Sequence, residues 1–298
     1  MKSTLLIVFT LTIVGLAGLE TSTRAQPPNS TTGTKMIYHS GQVVTGTPNV
    51  YPIWYGCWSQ ACGNPDGFIA QYILNDLILN LGSTPYFEIN STYPNGSGDA
   101  PNGRLHYAIA EADPAYSSGL ELTDADIREI VRDRIGAGHL PLDPSGIYIV
   151  LASPDVSSTA TGFCTAEGTP PHHGSDEYFF VQYKYGFVGD PTRCPSLEAP
   201  QYVSFDGTLQ PTPNNNLAGD AMAAKLAHVL STIVTNPYGD GWYDRFGLEN
   251  ADKCQGTFGE TYTAENGARA NIRLWQRDYL LQQNWINENR GNRCALSR

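Results

Sequence analysis

The stretch GIYIVLA, residues 146–152, constrains the fold more than any other part of the chain. It is a continuous apolar run between Pro144 and Pro154, too short for a helix that could bury it alone. A run of this kind reads as a strand covered on both faces, and such strands belong to sheets with helices packed against them. Helical patterns flank it. Asn64-Pro65 reads as an N-cap and first-turn pair, opening a helix with Ile69, Tyr72, Ile73, Leu77 and Leu81 on one face and a stop at Gly82. Thr123 and Asp126 stand at capping-box spacing, followed by Ile127, Ile130, Val131 and Ile135 at helical period and a stop at Gly136. Leu217–Val234 reads as a third helix, ended by Asn236-Pro237, with Met222, Leu226, Leu230 and Ile233 as its apolar stripe. Strands are predicted over 49–56, 105–109 and 178–188, while 268–284 reads equally as strand or helix. The order β-α-β-α-β-β-α predicts one α/β domain with a mixed sheet and packing helices.

The chain opens with Lys2, an apolar run over 5–19 and Thr23-Arg24-Ala25, the pattern of a cleaved signal peptide over 1–25. The run is short for a membrane span, and no later apolar run approaches that length. Removing Lys2, Arg24 and Glu20 leaves 16 basic and 28 acidic residues, a net charge of −12. That charge repels phosphates, so nucleic acid is not an expected partner, nor is a membrane after cleavage. Residues 26–35, rich in Pro, Ser, Thr and Gly, are expected to be disordered, leaving 36–298 as the folded domain.

Six cysteines lie beyond the signal, and an even count in a secreted chain predicts disulfides. Pairing between sequence neighbours gives Cys57–Cys62, Cys164–Cys194 and Cys254–Cys294. Three glycosylation sequons fit the same compartment, at Asn29, Asn90 and Asn95.

Two regions carry a recognisable pattern. The first holds Tyr38-His39-x-Gly41 and then NVYPIWYGCW, residues 49–58. The second holds Gly162-Phe163-Cys164, HHGSD, YKYGFVGDPTRCP and Thr235-Asn236-Pro237. In these the chain resembles the phosphate-induced protein 1, or Exordium, family of secreted proteins, best represented in the plant extracellular space. CTAEGTPPHHG and CPSLEAPQ lack further cysteines that the family pattern carries there, which marks a divergent member. The resemblance implies a role in growth or cell-wall processes, an apoplastic location if the source is a plant, and no established reaction.

The candidate chemistry centres on His228. A zinc-hydrolase helix needs a second ligand one turn on and a glutamate to activate water. Here Val229 stands at the glutamate position and Thr232 at the second-ligand position. His228 is therefore expected off the apolar stripe of a structural helix, bonded to Asp252, Glu249 or a loop carbonyl. Weak metal candidates are His172 and His173, placed on a proline-flanked loop, with His228, Glu249 and Asp252. No catalytic residue and no cofactor are expected. Trp54, Tyr55 and Trp58 are expected in the core, the alternative being a sugar-stacking surface. The leading reading is a secreted, glycosylated, non-catalytic protein that binds an extracellular polymer or protein. The alternative is a metal-dependent hydrolase on a zincin-like scaffold with a degenerate helix.

Overall fold

The computed structural model describes residues 34–159, 161–165, 172–288 and 292–298. The expectations for residues 1–25 and for Asn29 lie outside these. Of the segment expected to be disordered, the last part is anchored: the Thr34 hydroxyl accepts from Lys253 Nζ at 2.7 Å and donates to Asp244.

In chain order the strands are β1 (Ile37–Tyr38), β2 (Asn49–Tyr55), β3 (His106–Tyr107), β4 (Glu111–Asp113), β5 (Glu121–Leu122), β6 (Ile147–Ala152), β7 (Ser157–Ser158), β8 (His172–Tyr178), β9 (Val181–Gly189) and β10 (Trp242–Tyr243). The helices are α1 (Gly67–Leu81), α2 (Asp124–Gly136), the single turn α3 (Pro195–Glu198) and α4 (Leu217–Thr235). The central sheet runs β3-β2-β6-β9-β8, with β4 also on β2. Its strands are parallel except β8, which is antiparallel to β9 at the edge. The predicted mixed sheet and element order are both present.

Side-chain alternation divides the core into two layers. Val50 and Trp54 of β2, Ile147, Ile149 and Leu151 of β6, and Val188 of β9 pack beneath α1 and α4. Tyr51, Ile53 and Tyr55, Tyr148 and Val150, and Tyr183, Tyr185 and Phe187 pack on the other face against α2. Every residue of β6 is buried, as its unbroken apolar run requires. Trp54, Tyr55 and Trp58 are buried as expected, which removes them from any sugar-stacking surface.

α2 has its capping box, Thr123 with Asp126, and buries Ile127, Ile130, Val131 and Ile135. α1 corrects its predicted face. It starts at Gly67 after Asp66, while the Asn64 side chain donates to the Cys57 carbonyl. It buries Ala70, Ile73, Leu74, Leu77, Ile78 and Leu81, whereas Ile69 and Tyr72 face outward. The face is set by α4, whose backbone comes so close at Gly219 that a Cβ there would lie 2.7 Å from Ile73 Cδ1. α4 has no single stripe: it is apolar enough to span a membrane by composition, but it is buried within the protein on nearly all sides. His228 is buried with the rest of it.

The predicted strand over 178–188 is the end of a hairpin. Phe179 and Phe180 form its two-residue turn, both with left-handed φ, 45° and 64°. The 105–109 strand shrinks to β3. The ambiguous C-terminal stretch is strand: β11 (Tyr262–Thr263) pairs β12 (Arg269–Ala270), β13 (Ile272–Leu274) pairs β14 (Arg277–Tyr279), and β15 (Asn284–Ile286) pairs β16 (Arg293–Ala295). Disulfides join Cys57–Cys62, Cys164–Cys194 and Cys254–Cys294, and no described cysteine is free.

Candidate functional site

α4 places His228 beneath the sheet edge, and the segment that follows the helix folds back to meet it. The C-cap Asn236 turns the chain, its Oδ1 accepting from Gly241 N at 2.7 Å. The chain returns through Asp244, which caps a tight turn by accepting from Phe246 and Leu248. It arrives at Glu249 and Asp252 beside the helix. Asp252 Oδ1 lies 2.8 Å from His228 Nε2, and its Oδ2 accepts from Glu249 N at 3.0 Å. Gln282 Nε2 lies 3.2 Å from His228 Nδ1. The imidazole is held at both nitrogens, and of the three partners expected for it, Asp252, Glu249 or a loop carbonyl, it meets Asp252.

A second pair lies alongside. His173 comes from the edge strand β8 and not from a loop, which corrects the sequence reading. Its Nε2 is 2.7 Å from Glu249 Oε2, and Glu249 Oε1 accepts from the Asn236 side chain. Strand alternation sends the adjacent His172 to the opposite face, where its Nε2 is 2.6 Å from Asp124 Oδ1, a carboxylate that also accepts from Tyr185 OH. Of the five weak metal candidates, four therefore converge and His172 does not. Those four are joined as two histidine–carboxylate pairs. Among the described residues, no group of three or more His, Cys, Asp or Glu side chains is placed to hold a metal ion.

Burial and charge act against each other here. Burial alone raises the Asp252 carboxyl, but the hydrogen bond and charge of His228 outweigh it and hold Asp252 below its ordinary range. Burial alone lowers the His173 imidazole, but the neighbouring Glu249 carboxylate outweighs it and raises His173 above the usual value.

The two positions that a hydrolase would need have other roles. Val229 is buried against the sheet, where a Cβ on Gly186 of β9 would lie 2.5 Å from Val229 Cγ1. Only glycine at 186 allows that approach. The Thr232 hydroxyl bonds within its own helix, to the carbonyls of Val229 and His228 at 3.0 and 3.3 Å. The sequence reading did not include Gln282 or Asn236 as site residues. Gln282 has no local signal at all, being 54 residues from the histidine it meets.

Of the sequon asparagines, Asn90 lies inside the fold. It is fully buried, its Nδ2 donates to the Phe87 carbonyl, and its Oδ1 accepts from Asn250 and Asn284. Its amide nitrogen, the atom a glycan would need, is therefore enclosed and already bonded. Asn95 sits on a turn bounded by the exposed Gly96–Asp99 segment, which its Oδ1 organises by accepting from Ser97 and Asp99.

The chain matches the family model described as the phosphate-induced protein 1 conserved region over residues 36–278. It belongs to the phosphate-induced protein 1 family. Within that family, it is 27% identical over 277 residues to Protein EXORDIUM-like 3 of Arabidopsis thaliana, covering 84% of this chain and 80% of that protein. It is 28% identical over 243 residues to Protein EXORDIUM of Arabidopsis thaliana, covering 75% and 74%. It is 27% identical over 245 residues to Protein PHOSPHATE-INDUCED 1 of Nicotiana tabacum, covering 74% and 72%. No solved structure matches the chain.

Proposed function

We propose that this phosphate-induced protein 1 family member is a secreted, non-catalytic glycoprotein that acts in growth or at the cell wall by binding an extracellular polymer or protein. The observation that carries this reading is the state of the helix around His228. The glutamate position is a core valine and the second-ligand position is a threonine bonded to its own helix. The one histidine is held at both nitrogens by Asp252 and Gln282. Zinc hydrolysis needs a base to take the proton from bound water, and no side chain at these positions can do so. The three disulfides suit an oxidising compartment. With its excess of acidic residues, the chain is an unsuitable partner for nucleic acid or an anionic membrane surface.

The test uses full-length chain expressed in a secretory host. Mature protein is expected in the medium, beginning at Gln26, with a glycan at Asn95 and none at Asn90. Metal analysis is expected to give well under one zinc per chain. Stoichiometric zinc together with peptide hydrolysis that a chelator abolishes would establish the hydrolase reading instead. Retention inside the cell would sink the proposal of secretion. A binding screen against wall polysaccharides and extracellular peptides then identifies the ligand class.

A further inference from the structure

We propose, resting on the Asn95 glycan of the reading above, that Tyr38 and Trp242 form a sugar-binding shelf whose occupant is the first N-acetylglucosamine of that glycan.

The attachment side chain has one end tied and one end free. Asn95 Oδ1 accepts from the amides of Ser97 and Asp99, both at 2.9 Å, which holds the carboxamide against its own turn. The backbone closes the same turn, with Asn95 N donating to the Asp99 carbonyl at 2.7 Å and Gly98 N to the Asn95 carbonyl at 3.0 Å. Nδ2, the atom that takes the sugar, donates no hydrogen bond within the protein and lies on the open side of the carboxamide. At Asn90 the same atom is spent on the Phe87 carbonyl.

The shelf is built beside that atom. The β1–β10 ladder sets Tyr38 directly opposite Trp242, so both rings lie on one face with their centroids 5.3 Å apart. The buried Tyr93 supports Trp242 edge-on at 5.6 Å, while Tyr38 and Trp242 stay half-exposed. The two residues that flank Asn95 are each bonded to one of these rings. Trp242 Nε1 donates to the Pro94 carbonyl at 2.9 Å, and Gly96 N donates to the Tyr38 hydroxyl at 3.0 Å. A Cβ on Gly96 would lie 3.5 Å from Tyr38 Cε1, so the middle of the sequon rests on the phenol ring.

The chemistry of the occupant matches. A pyranose ring carries a face of C–H groups, and covering an aromatic surface with it removes apolar area from water while the sugar hydroxyls stay hydrated. The covalent tether supplies a high effective concentration, so a contact too weak to hold a free sugar is populated here. The consequence falls on β1, a two-residue strand. Beyond its ladder the chain is held by His39 N on the Gly241 carbonyl and Gly41 N on the Asp240 carbonyl, each at 2.8 Å. Tyr38 also donates to the Gly41 carbonyl at 2.6 Å. A sugar seated on Tyr38 and Trp242 clamps this segment against local opening.

The test uses full-length chain from a secretory host, with its glycan trimmed enzymatically to the single N-acetylglucosamine. Ser97→Ala removes the sequon and keeps the Ser97 amide that Asn95 Oδ1 needs. The amides of His39 and Gly41 should exchange about three- to tenfold more slowly in the glycoform than in Ser97→Ala, the range of one aromatic contact. In a Tyr38→Leu background the glycan should lose that effect, and the cycle cancels the hydroxyl bonds lost from both forms. Nuclear Overhauser contacts from the sugar ring protons to the Tyr38 and Trp242 rings are the second measurement, and they decide alone if Tyr38→Leu does not fold. Equal exchange with and without the sugar overturns the proposal. So does a benefit that survives Tyr38→Leu, or sugar protons that contact another surface. Intact mass separates the two readings: a chain with no glycan on Asn95 sinks both, whereas a glycan present but uncoupled to His39 and Gly41 sinks the shelf and leaves the glycoprotein standing.

Discussion

The two sides of α4 are built on different principles. Toward β6 and β9 it packs apolar side chains, Val229, Leu226 and Ile233 among them, onto a face of alternating aliphatics. Toward the returning chain it meets polar groups: His228 with Asp252, His173 with Glu249, and the buried amides Asn90, Asn250 and Asn284. The apolar side depends on volume and is indifferent to pH. The polar side depends on every donor finding its acceptor, and an unmet partner there costs more than the bond itself contributes.

The largest effect that separates the two sides is expected from their disulfides. Cys254–Cys294 closes 40 residues of the polar side, and Cys57–Cys62 closes 5 residues beside the sheet. Loop-closure entropy gives about 4 kcal/mol for the first and about 2 kcal/mol for the second. Paired Cys→Ser variants in urea titrations should show that order, and an equal loss would mean that the C-terminal loop is held without its cross-link.

Next come two substitutions of similar size and opposite character. Leu151→Ala opens a cavity under α4 and should cost about 3 kcal/mol at every pH. His228→Ala strands a buried carboxylate and should cost about 3 kcal/mol at neutral pH. Asp252 has a depressed folded pKa, so its contribution is present above the ordinary value of 3.8 and lost as pH falls through the folded value. The His228→Ala deficit should therefore shrink in acid while the Leu151→Ala deficit persists. Parallel curves from chemical denaturation would show that the pair is not what His228 contributes.

The smallest effect is at His173. Its folded pKa is raised, so the stabilisation is full below the ordinary value of 6.5 and disappears as pH rises through the folded value. His173→Gln should cost about 1 kcal/mol near pH 5.5 and close to nothing near pH 8.5. A deficit that grows with pH would reverse the assignment to Glu249.

The apolar side was legible in the sequence because its signals are local. β6 is one unbroken run, α2 carries its cap and face within thirteen residues, and α4 ends at an Asn-Pro step. Where the outcome depended on distant partners, the reading failed or stopped. The α1 face was misplaced because Ile69 and Tyr72 look like core, while the actual face is fixed by Gly219, nearly 150 residues on. β8 was missed because HHGSDEY contains no β-branched residue; it is a strand because β9 and a two-residue turn make it one. The Asn90 sequon was readable, but its burial was not, since the amides that enclose it come from Asn250 and Asn284. At the candidate site the His228–Asp252 bond could be guessed, whereas Gln282 and the placement of His173 depended on the fold.

The contact between Val229 and Gly186 bears on the history open to this scaffold. A side chain one position past His228 lies about 100° further round the helix, which here means into the sheet. Installing glutamate at 229 would not supply the base of a zinc-hydrolase helix. It would press a carboxylate against the β9 backbone, where it could neither meet water nor leave room for the strand. An ancestor with a working helix at this place would have needed α4 rotated, or a side chain other than this one in the seat on Gly186. A zinc-hydrolase pattern on α4 is therefore not one mutation away but one helix register away, and the glycine that seats α4 acts as a ratchet against it.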